Sequence, residues 1–238
     1  MIERAPGVRA ACVIGWPAAH SRSPLIHRYW LKTHGISGDY RTEAVPPEQF
    51  AEFVQNLDKH GYVGANVTVP HKAAALALSQ PDARALAIGA ANTLWLEEGA
   101  LRSTNTDAEG FLANLDASAP GWDKGIKAAL VLGAGGSAHA VVFGLAERGV
   151  PRIYVANRTI ARAQEIAARF GSSVHPIAWD DKGECFTEIG LLVNTTTLGM
   201  AGQPSLTIAL DDANNSIVLG ALVINSILHA SSKPEGHA

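Results

Sequence analysis

The sequence has 238 residues, of which 47% are hydrophobic and 17% are charged, and its net charge is −3. This hydrophobic content is enough to build a core, so a mainly disordered chain is excluded. The slight negative charge excludes the basic surplus of a nucleic-acid binder. No apolar run is long enough to span a membrane.

Cysteine and histidine usage indicates a reducing compartment and no metal site. Cys12 and Cys185 lie far apart in the sequence, which argues against a disulfide framework. The nine histidines show no HExxH-type spacing. The N-terminus lacks the apolar segment and cleavage pattern of a signal peptide, so we expect a cytoplasmic protein.

The first part of the chain predicts strands that alternate with helices. An apolar run at 11–15 is typical of a buried strand. Ser23 is suited to cap a helix in which Pro24 occupies the first turn. That helix carries on one face Leu25, Ile26, Tyr29 and Trp30, and Gly35 ends it. Further predicted elements are a strand over 40–44, a helix from Pro47 to Gly61, a strand at 64–70, a helix from His71 and a hairpin over 93–104 that turns at Glu98 and Gly99.

The alternation continues after a connecting helix at 106–116. A strand, a glycine turn and a helix cover 128–149, and Thr159 is suited to cap a helix that ends at Phe170. Other strands are predicted at 152–159, 174–177, 190–194 and 217–224. Strands alternating with helices predict parallel sheets built from βαβ units. We therefore expect an α/β fold of two domains, 1–107 and 108–238.

The glycine turn fits the pattern G-x-G-x-x-A between an apolar strand and an apolar helix, the context in which this motif is informative. Gly133 allows a tight turn, Gly135 lets the backbone approach a pyrophosphate, and Ala138 allows close packing of helix and strand. Free N–H groups at the helix start favour an anion. The pattern predicts a Rossmann-type dinucleotide site formed by Gly133, Ala134, Gly135, Gly136, Ser137 and Ala138.

The next strand indicates which dinucleotide is bound. An NAD site usually has an acidic residue here, whereas this chain has Asn157, Arg158 and Thr159, with Arg162 one turn later. Arginine binds a 2′-phosphate through charge-assisted hydrogen bonds that an acid would oppose. We therefore predict NADP as the cofactor. Alternatively, Arg158 and Arg162 are ordinary solvated helix charges.

Several polar clusters follow predicted strands, where α/β proteins place their sites. They read G-x-P-x-x-H-S-x-S-P at 15–24, N-V-T-x-P-x-K at 66–72, G-A-x-N-T at 89–93 and N-T-D at 105–107. With GAGGSA, NRT and VNTTTLGM in the second part, this series resembles the shikimate dehydrogenase family over residues 11–200.

The resemblance implies a role for each matching residue. Ser21 and Ser23 would bind the substrate carboxylate, while Thr68, Asn92 and Asp107 would bind its hydroxyls. Lys72 and Asp107 would be catalytic, Asn66 would support the site, and Thr195 and Met200 would contact the cofactor. The implied reaction is reversible reduction of 3-dehydroshikimate to shikimate by NADPH, in the chorismate pathway of aromatic amino-acid biosynthesis. Residues 1–107 would bind substrate and residues 108–238 NADP.

The residues themselves bear on these roles. Lys72 falls in the first turn of a helix, where a cation opposes the helix dipole, so its position favours acid–base work over a structural role. The alternatives are a surface lysine and a helix-capping Asp107. Asn92 could be a turn residue and Ser23 only a cap, and we expect His20 and His71 to be structural.

The C-terminal stretch departs from the family pattern. Asn225 replaces an expected Asp and Leu228 an expected Tyr, and a later Gln and the closing helix have no counterpart before Ala238. A truncated or frameshifted chain and a divergent paralogue both fit, and loss of the helix would expose apolar surface on the first domain. Alternative functions are an NAD-using quinate/shikimate dehydrogenase and a non-catalytic binding paralogue. The expected partner is a small molecule, with no nucleic acid or membrane, for a monomer or homodimer.

Overall fold

A computed structural model describes residues 9–19, 21–200, 202–208 and 218–221. Its first part is a six-stranded mixed sheet in the order β2-β1-β3-β5-β6-β4. The strands are β1 Arg9–Gly15, β2 Gly38–Ala44, β3 Tyr62–Val67, β4 Gln80–Pro81, β5 Thr93–Glu97 and β6 Ala100–Thr104. The helices are α1 Ser23–Thr33, α2 Pro47–Gln55, α3 Lys72–Ala77 and α4 Ala83–Ile88. Strands β1, β2 and β3 are parallel, while β5 is antiparallel to β3 and to β6.

The second part is a five-stranded sheet of parallel strands in the order β11-β10-β7-β8-β9. Its strands are β7 Ala128–Leu132, β8 Arg152–Asn157, β9 Val174–Ala178, β10 Ile189–Asn194 and β11 Val218–Ala221. Its helices are α5 Asp107–Ser118, α6 Gly136–Glu147 and α7 Ile160–Phe170, with a 3₁₀ helix over Asp180–Cys185. The predicted α/β fold with parallel strands is confirmed.

Burial explains why β7 is a continuous apolar run. All its residues are buried, as expected for a central parallel strand covered on both faces. Ala129 and Val131 pack towards α6 and α7, whereas Leu130 and Leu132 pack against Phe186 and its neighbours on the other face. The sheet therefore holds the end of β7, where the glycine turn begins, in a fixed position.

Most predicted elements are present, and the hairpin at 93–104 forms as expected. Glu98 and Gly99 both have positive φ, of 51° and 79°, which suits the tight turn between β5 and β6. Helix α2 begins at Pro47 as predicted but ends at Gln55, well before Gly61. Tyr62 of β3 then follows Gly61, whose φ is 79°.

The capping prediction for Ser23 is wrong, whereas that for Thr159 is confirmed in position but not in hydrogen bonding. Arg22 is the N-cap of α1, and Ser23 is already helical, because the chain reaches helical backbone angles one residue earlier. Thr159 is the N-cap of α7, but its side chain makes no capping hydrogen bond. The hydroxyls of both residues therefore do not cap these helices.

The apolar face of α1 is not packed. The helix contains no buried residue among those described, and Leu25, Tyr29 and Trp30 are 71%, 66% and 51% exposed. A cavity of about 330 Å³ lies beside it, lined by residues of α1 and of the sheet. Helical periodicity placed these side chains on one face correctly, but it did not predict that the face would remain open.

Three short elements were not predicted, namely β4, α4 and the 3₁₀ helix. Helix α4 has only six residues, yet its ends carry ordinary signals. Asp82 accepts a hydrogen bond from the Ala85 N–H at 2.7 Å, and Gly89 ends the helix with a φ of 81°. Such a helix is too short to show apolar periodicity.

Helix α4 also joins the two sheets. Ile88 and Ala90 pack with Ala108 and Ala140 in a buried cluster. The α4 carbonyl of Leu86 accepts a hydrogen bond from Arg169 at 3.0 Å, and that of Ile88 lies 3.0 Å from Nδ1 of His139. These contacts hold the start of α6 beside the first sheet.

Several predictions concern residues outside the described part of the chain, namely those for His20, the end of the strand at 217–224, Asn225, Leu228 and the missing closing helix. None of the helices that the structure describes combines the length and apolar character needed to cross a bilayer.

Candidate active site

Lys72 and Asp107 form an ion pair at one edge of the first sheet. Lys72 begins α3 after β3, and Asp107 begins α5 after β6, so two parallel strands end at this edge. Lys72 Nζ lies 2.6 Å from Asp107 Oδ2, and the side chains are only 9% and 16% exposed. Separating such a pair would leave a charge largely removed from water, so the two groups remain together.

Asp107 is also held by two asparagines of the first part of the chain. Its other oxygen, Oδ1, accepts a hydrogen bond from Asn92 Nδ2 at 2.7 Å. Its backbone N–H donates to Asn105 Oδ1 at 2.9 Å. Asn105 is fully buried and donates to the Ala90 carbonyl at 2.8 Å. The carboxylate therefore has little freedom to rotate.

Asn92 is more than a turn residue. It is 9% exposed, and its Oδ1 accepts a hydrogen bond from the Thr106 backbone N–H at 3.0 Å. Its Nδ2 donates to Thr106 Oγ1 at 3.0 Å as well as to Asp107. Because each side of the amide has a different partner, its orientation is fixed.

The second sheet brings the glycine turn to the same place. Lys72 Nζ donates to Ser137 Oγ at 3.1 Å. A Cβ added at Gly136 would lie 2.9 Å from Lys72 Cβ, so only glycine allows the start of α6 this close to the lysine. The predicted dinucleotide turn and the predicted catalytic lysine are thus in direct contact.

Ser21, Ser23 and Thr68 lie near the same edge of the sheet. Ser21 Oγ accepts a hydrogen bond from the Ser23 N–H at 3.3 Å, and both residues are half-buried. Thr68 follows β3, and its methyl group lies so close to β1 that a Cβ at Gly15 would be 2.4 Å away. Ser21 lies in the loop that follows β1, and Ser23 is the first residue of α1.

The glycine turn has the geometry of an anion cradle. Gly133 has a φ of 98°, and a Cβ there would lie 2.9 Å from both Thr195 Oγ1 and Thr196 Cγ2. Gly135, by contrast, has open space at its Cβ position. No described heavy atom lies within 4 Å of that position, apart from those of the two neighbouring residues in the sequence. Ala138 is fully buried between α6 and the sheet. The open space above the N-terminus of α6 suits a pyrophosphate.

The loop after β8 lies beside this cradle, since β8 pairs with β7. Asn157 Nδ2 donates to the Thr159 carbonyl at 2.8 Å and shapes the loop. Arg158 and Arg162 are exposed, and within the described part of the chain neither is ion-paired. Both guanidinium groups are therefore available to an anion.

The segment after β10 borders the cradle from the other side. Thr195 donates from Oγ1 to the Leu132 carbonyl at 2.7 Å, next to the glycine turn. Met200 is half-buried, and its N–H donates to the Thr197 carbonyl at 3.1 Å. These two predicted cofactor contacts therefore follow a strand that neighbours β7.

His71 has a packing role in the structure. It is 2% exposed, stacks on Phe50 and has Nε2 2.8 Å from the Val45 carbonyl. Burial lowers the pKa of its imidazole. Across the residues that the structure describes, no cluster of three or more His, Cys, Asp or Glu could hold a metal ion.

Sequence reasoning missed Asn105 and the long-range contacts that support the site. Asn105 lies in the N-T-D motif but received no role. The contact between Ser137 and Lys72 joins positions 65 residues apart, so no local pattern predicts it. The hydrogen bonds of Asn66 to Tyr40 and Thr93 depend on the order of the strands in the first sheet.

Two family models match the chain. Residues 13–94 match the shikimate dehydrogenase substrate binding domain, and residues 122–200 match shikimate / quinate 5-dehydrogenase. The shikimate dehydrogenase (NADP(+)) of Nitrobacter hamburgensis is 64% identical over 202 residues, which are 85% of this chain and 70% of that protein. The chain belongs to the shikimate dehydrogenase family. The family resemblance predicted from the motifs is thereby confirmed.

Solved structures of the family agree with the fold. Shikimate 5-dehydrogenase from Thermus thermophilus, in complex with NADP(H) and shikimate, is 35% identical with a TM-score of 0.78, covering 91% of this chain and 79% of that one. Quinate dehydrogenase from Corynebacterium glutamicum, in complex with NAD, has a TM-score of 0.78 at 24% identity, covering 90% of this chain and 79% of that one. The second likeness concerns the fold alone.

Proposed function

We propose that this chain is an NADP-dependent shikimate dehydrogenase, which reversibly reduces 3-dehydroshikimate to shikimate. One observation carries the proposal: the buried Lys72–Asp107 pair lies against the first turn of the helix that would hold the cofactor pyrophosphate. A proton source and a dinucleotide site in direct contact suit carbonyl reduction. The names of relatives and of the Thermus complex support the same substrate and cofactor.

The residues present fit NADP. The pyrophosphate would bind N–H groups at the start of α6, above Gly135, and the 2′-phosphate would bind Arg158, Thr159 and Arg162. When bound, NADPH supplies the hydride that reduces the substrate carbonyl. Thr195 and Met200 would border the nicotinamide.

Lys72 would move the proton. Its ammonium has three N–H donors, of which one bonds Asp107 and one bonds Ser137, so a third remains for the substrate oxygen. In reduction, that N–H protonates the developing alkoxide and leaves a neutral amine held by Asp107. In oxidation, the amine takes the proton back.

The remaining polar residues would orient the substrate. Ser21 and Ser23 would bind its carboxylate, and Thr68, Asn92 and Asp107 its hydroxyls. Ser23 is free for this role because it does not cap α1.

The finer statements about partners and compartment form part of the same proposal. We place the enzyme in the cytoplasm, where the free and buried thiols Cys12 and Cys185 would stay reduced. Burial raises the pKa of Cys185 to about 11, which keeps this thiol protonated and unreactive. A small molecule is the expected partner, and the protein would be a monomer or a homodimer.

Purified protein should reduce NADP⁺ with shikimate much faster than NAD⁺ with quinate, and calorimetry should show binding of both shikimate and NADP⁺. Preferred NAD-linked oxidation of quinate would support the quinate/shikimate alternative. Binding of both ligands without turnover would support a non-catalytic paralogue. Failure to bind either ligand would contradict all three functions.

A further inference from the structure

A chain of side-chain hydrogen bonds crosses the first sheet and ends at Asp107. Tyr40 Oη donates to Asn66 Oδ1 at 2.6 Å, and Asn66 Nδ2 donates to Thr93 Oγ1 at 3.2 Å. Thr93 Oγ1 donates to Asn92 Oδ1 at 3.0 Å, and Asn92 Nδ2 donates to Asp107 Oδ1 at 2.7 Å. Every group donates in the same direction, towards the carboxylate.

The topology of the sheet makes this chain possible. Tyr40, Asn66 and Thr93 lie on β2, β3 and β5, and the register pairs Asn66 directly with Thr93. Strand β1 lies between β2 and β3, and its residue opposite Tyr40 is Ala11. A side chain as small as Ala11 lets the phenol pass over β1 and reach Asn66.

The chain stabilises one orientation of the Asn92 amide. The Thr93 hydroxyl can donate to Asn92 only if Oδ1 faces it, and Nδ2 is then directed at Asp107. Hydrogen bonds that share a direction polarise one another, which strengthens the last bond of the series. Because Asp107 in turn holds Lys72, the position of the ammonium depends on residues several strands away.

Tyr40 is the first residue of the hydrogen-bond series, and it lies near Ser23, which would bind substrate. Burial is the main cause that raises the pKa of the Tyr40 phenol, and the nearby Ser23 hydroxyl acts in the opposite direction. His27 of α1 stacks on the Tyr40 ring with centroids 4.1 Å apart. The Tyr40 ring therefore packs against α1 at His27.

We propose that Thr93 and Tyr40 are positioning residues for the reaction, which act through Asn92 on the Lys72–Asp107 pair. The inference rests on the proposed function, since it concerns the residues that bind and reduce 3-dehydroshikimate.

Thr93→Val keeps the shape of the side chain and removes its hydroxyl, whereas Thr93→Ser keeps the hydroxyl. We expect Thr93→Val to lower kcat about tenfold with an unchanged KM for NADPH, and Thr93→Ser to stay within about twofold of wild type. Tyr40→Phe should lower kcat about threefold, because it removes only the first bond of the series. Tyr62→Phe is the matched control. Tyr62 is a buried tyrosine whose hydroxyl donates a hydrogen bond to Glu43, and neither residue belongs to the series that leads to Asp107.

Thermal unfolding of each variant separates positioning from folding. A double-mutant comparison then tests the route: in an Asn92→Ala background, Thr93→Val should cause no further loss of kcat. Additive losses would overturn the inference, as would a Thr93→Val variant that matches wild type or is not rescued by serine. Absence of shikimate turnover and binding in the wild-type protein would instead count against the proposed function.

Discussion

Lys72 and Ser137 are hydrogen-bonded across the boundary between the two sheets, with Nζ and Oγ 3.1 Å apart. One residue begins a helix of the first part and the other belongs to the first turn of α6. The proposed proton donor therefore lies at the N-terminus of the helix that would bind the cofactor. This arrangement would place the proton and the hydride on the same substrate carbonyl.

Replacing the proposed proton donor should stop the reaction without emptying the cofactor site. Lys72→Ala should lower kcat about a thousandfold, since it removes general acid–base catalysis. NADP⁺ affinity measured by calorimetry should change little. Lys59→Ala is a suitable control because Lys59 is an exposed lysine whose described bond is to Asn56. Near-normal kcat in Lys72→Ala would contradict the proposed mechanism.

The preference for NADP should depend on Arg158. Arg158→Ala should weaken NADP⁺ binding about tenfold to a hundredfold, because a charge-assisted contact to the 2′-phosphate is lost. NAD⁺ binding should be unaffected. Arg152→Ala serves as control, since Arg152 begins β8, the strand that Arg158 follows, and is paired with Glu188. Equal losses for both cofactors would argue against a phosphate clamp.

Adding one methyl group at Gly136 should disturb the contact with Lys72. The new Cβ would lie 2.9 Å from Lys72 Cβ, so either the lysine or the start of α6 must shift. We expect Gly136→Ala to lower kcat about tenfold or more, because small displacements of reacting groups are costly. Gly183→Ala is the control, as its added Cβ meets no described heavy atom within 4 Å. A fully active Gly136→Ala variant would show that the close approach is not needed.

Stability should fall in mild acid, partly because of His139. Its Nδ1–H donates to the Ile88 carbonyl, since a carbonyl can only accept, and burial is the main reason that its pKa is lowered. The unfolded chain therefore binds a proton more readily than the folded one as the pH falls below about 6.5, the ordinary histidine value. The stability contributed by neutral His139 is present above that pH and decreases as the pH falls towards the lowered value.

The measurement is the unfolding temperature between about pH 8 and about pH 5. His139→Gln should show a smaller decrease over this range than wild type, although its stability at the higher pH falls as well. His34→Gln, which changes an exposed histidine at the end of α1, should keep the wild-type dependence. An unchanged pH dependence in His139→Gln would assign the effect to His27 and His71, whose pKa values burial also lowers.

Local patterns predicted most elements of the fold well, because these elements depend on neighbouring residues. The apolar run before Gly133, the paired turn residues Glu98 and Gly99, and the positions of Lys72 and Asp107 after two strands could all be predicted in this way. The capping role assigned to Ser23 was wrong because the backbone is already in the helical region at Arg22.

Contacts between distant parts of the chain could not be predicted. The hydrogen bond of Tyr40 to Asn66 requires that only β1 separates β2 from β3, which strand patterns do not reveal. The contact of Ser137 with Lys72 requires the relative placement of two sheets. Helix α4, which helps to set that placement, was too short to be detected by periodicity.

The close approach of Gly136 to Lys72 has a consequence for protein engineering. Glycines in a dinucleotide turn are usually explained by the approach of the cofactor, yet a Cβ at this position would collide with the side chain of Lys72 from the first sheet's side. A chimaera that joins the first sheet and its helices to a different dinucleotide-binding unit would need a residue without a Cβ at the same place. Otherwise the graft would bind its nucleotide and still hold it away from the lysine.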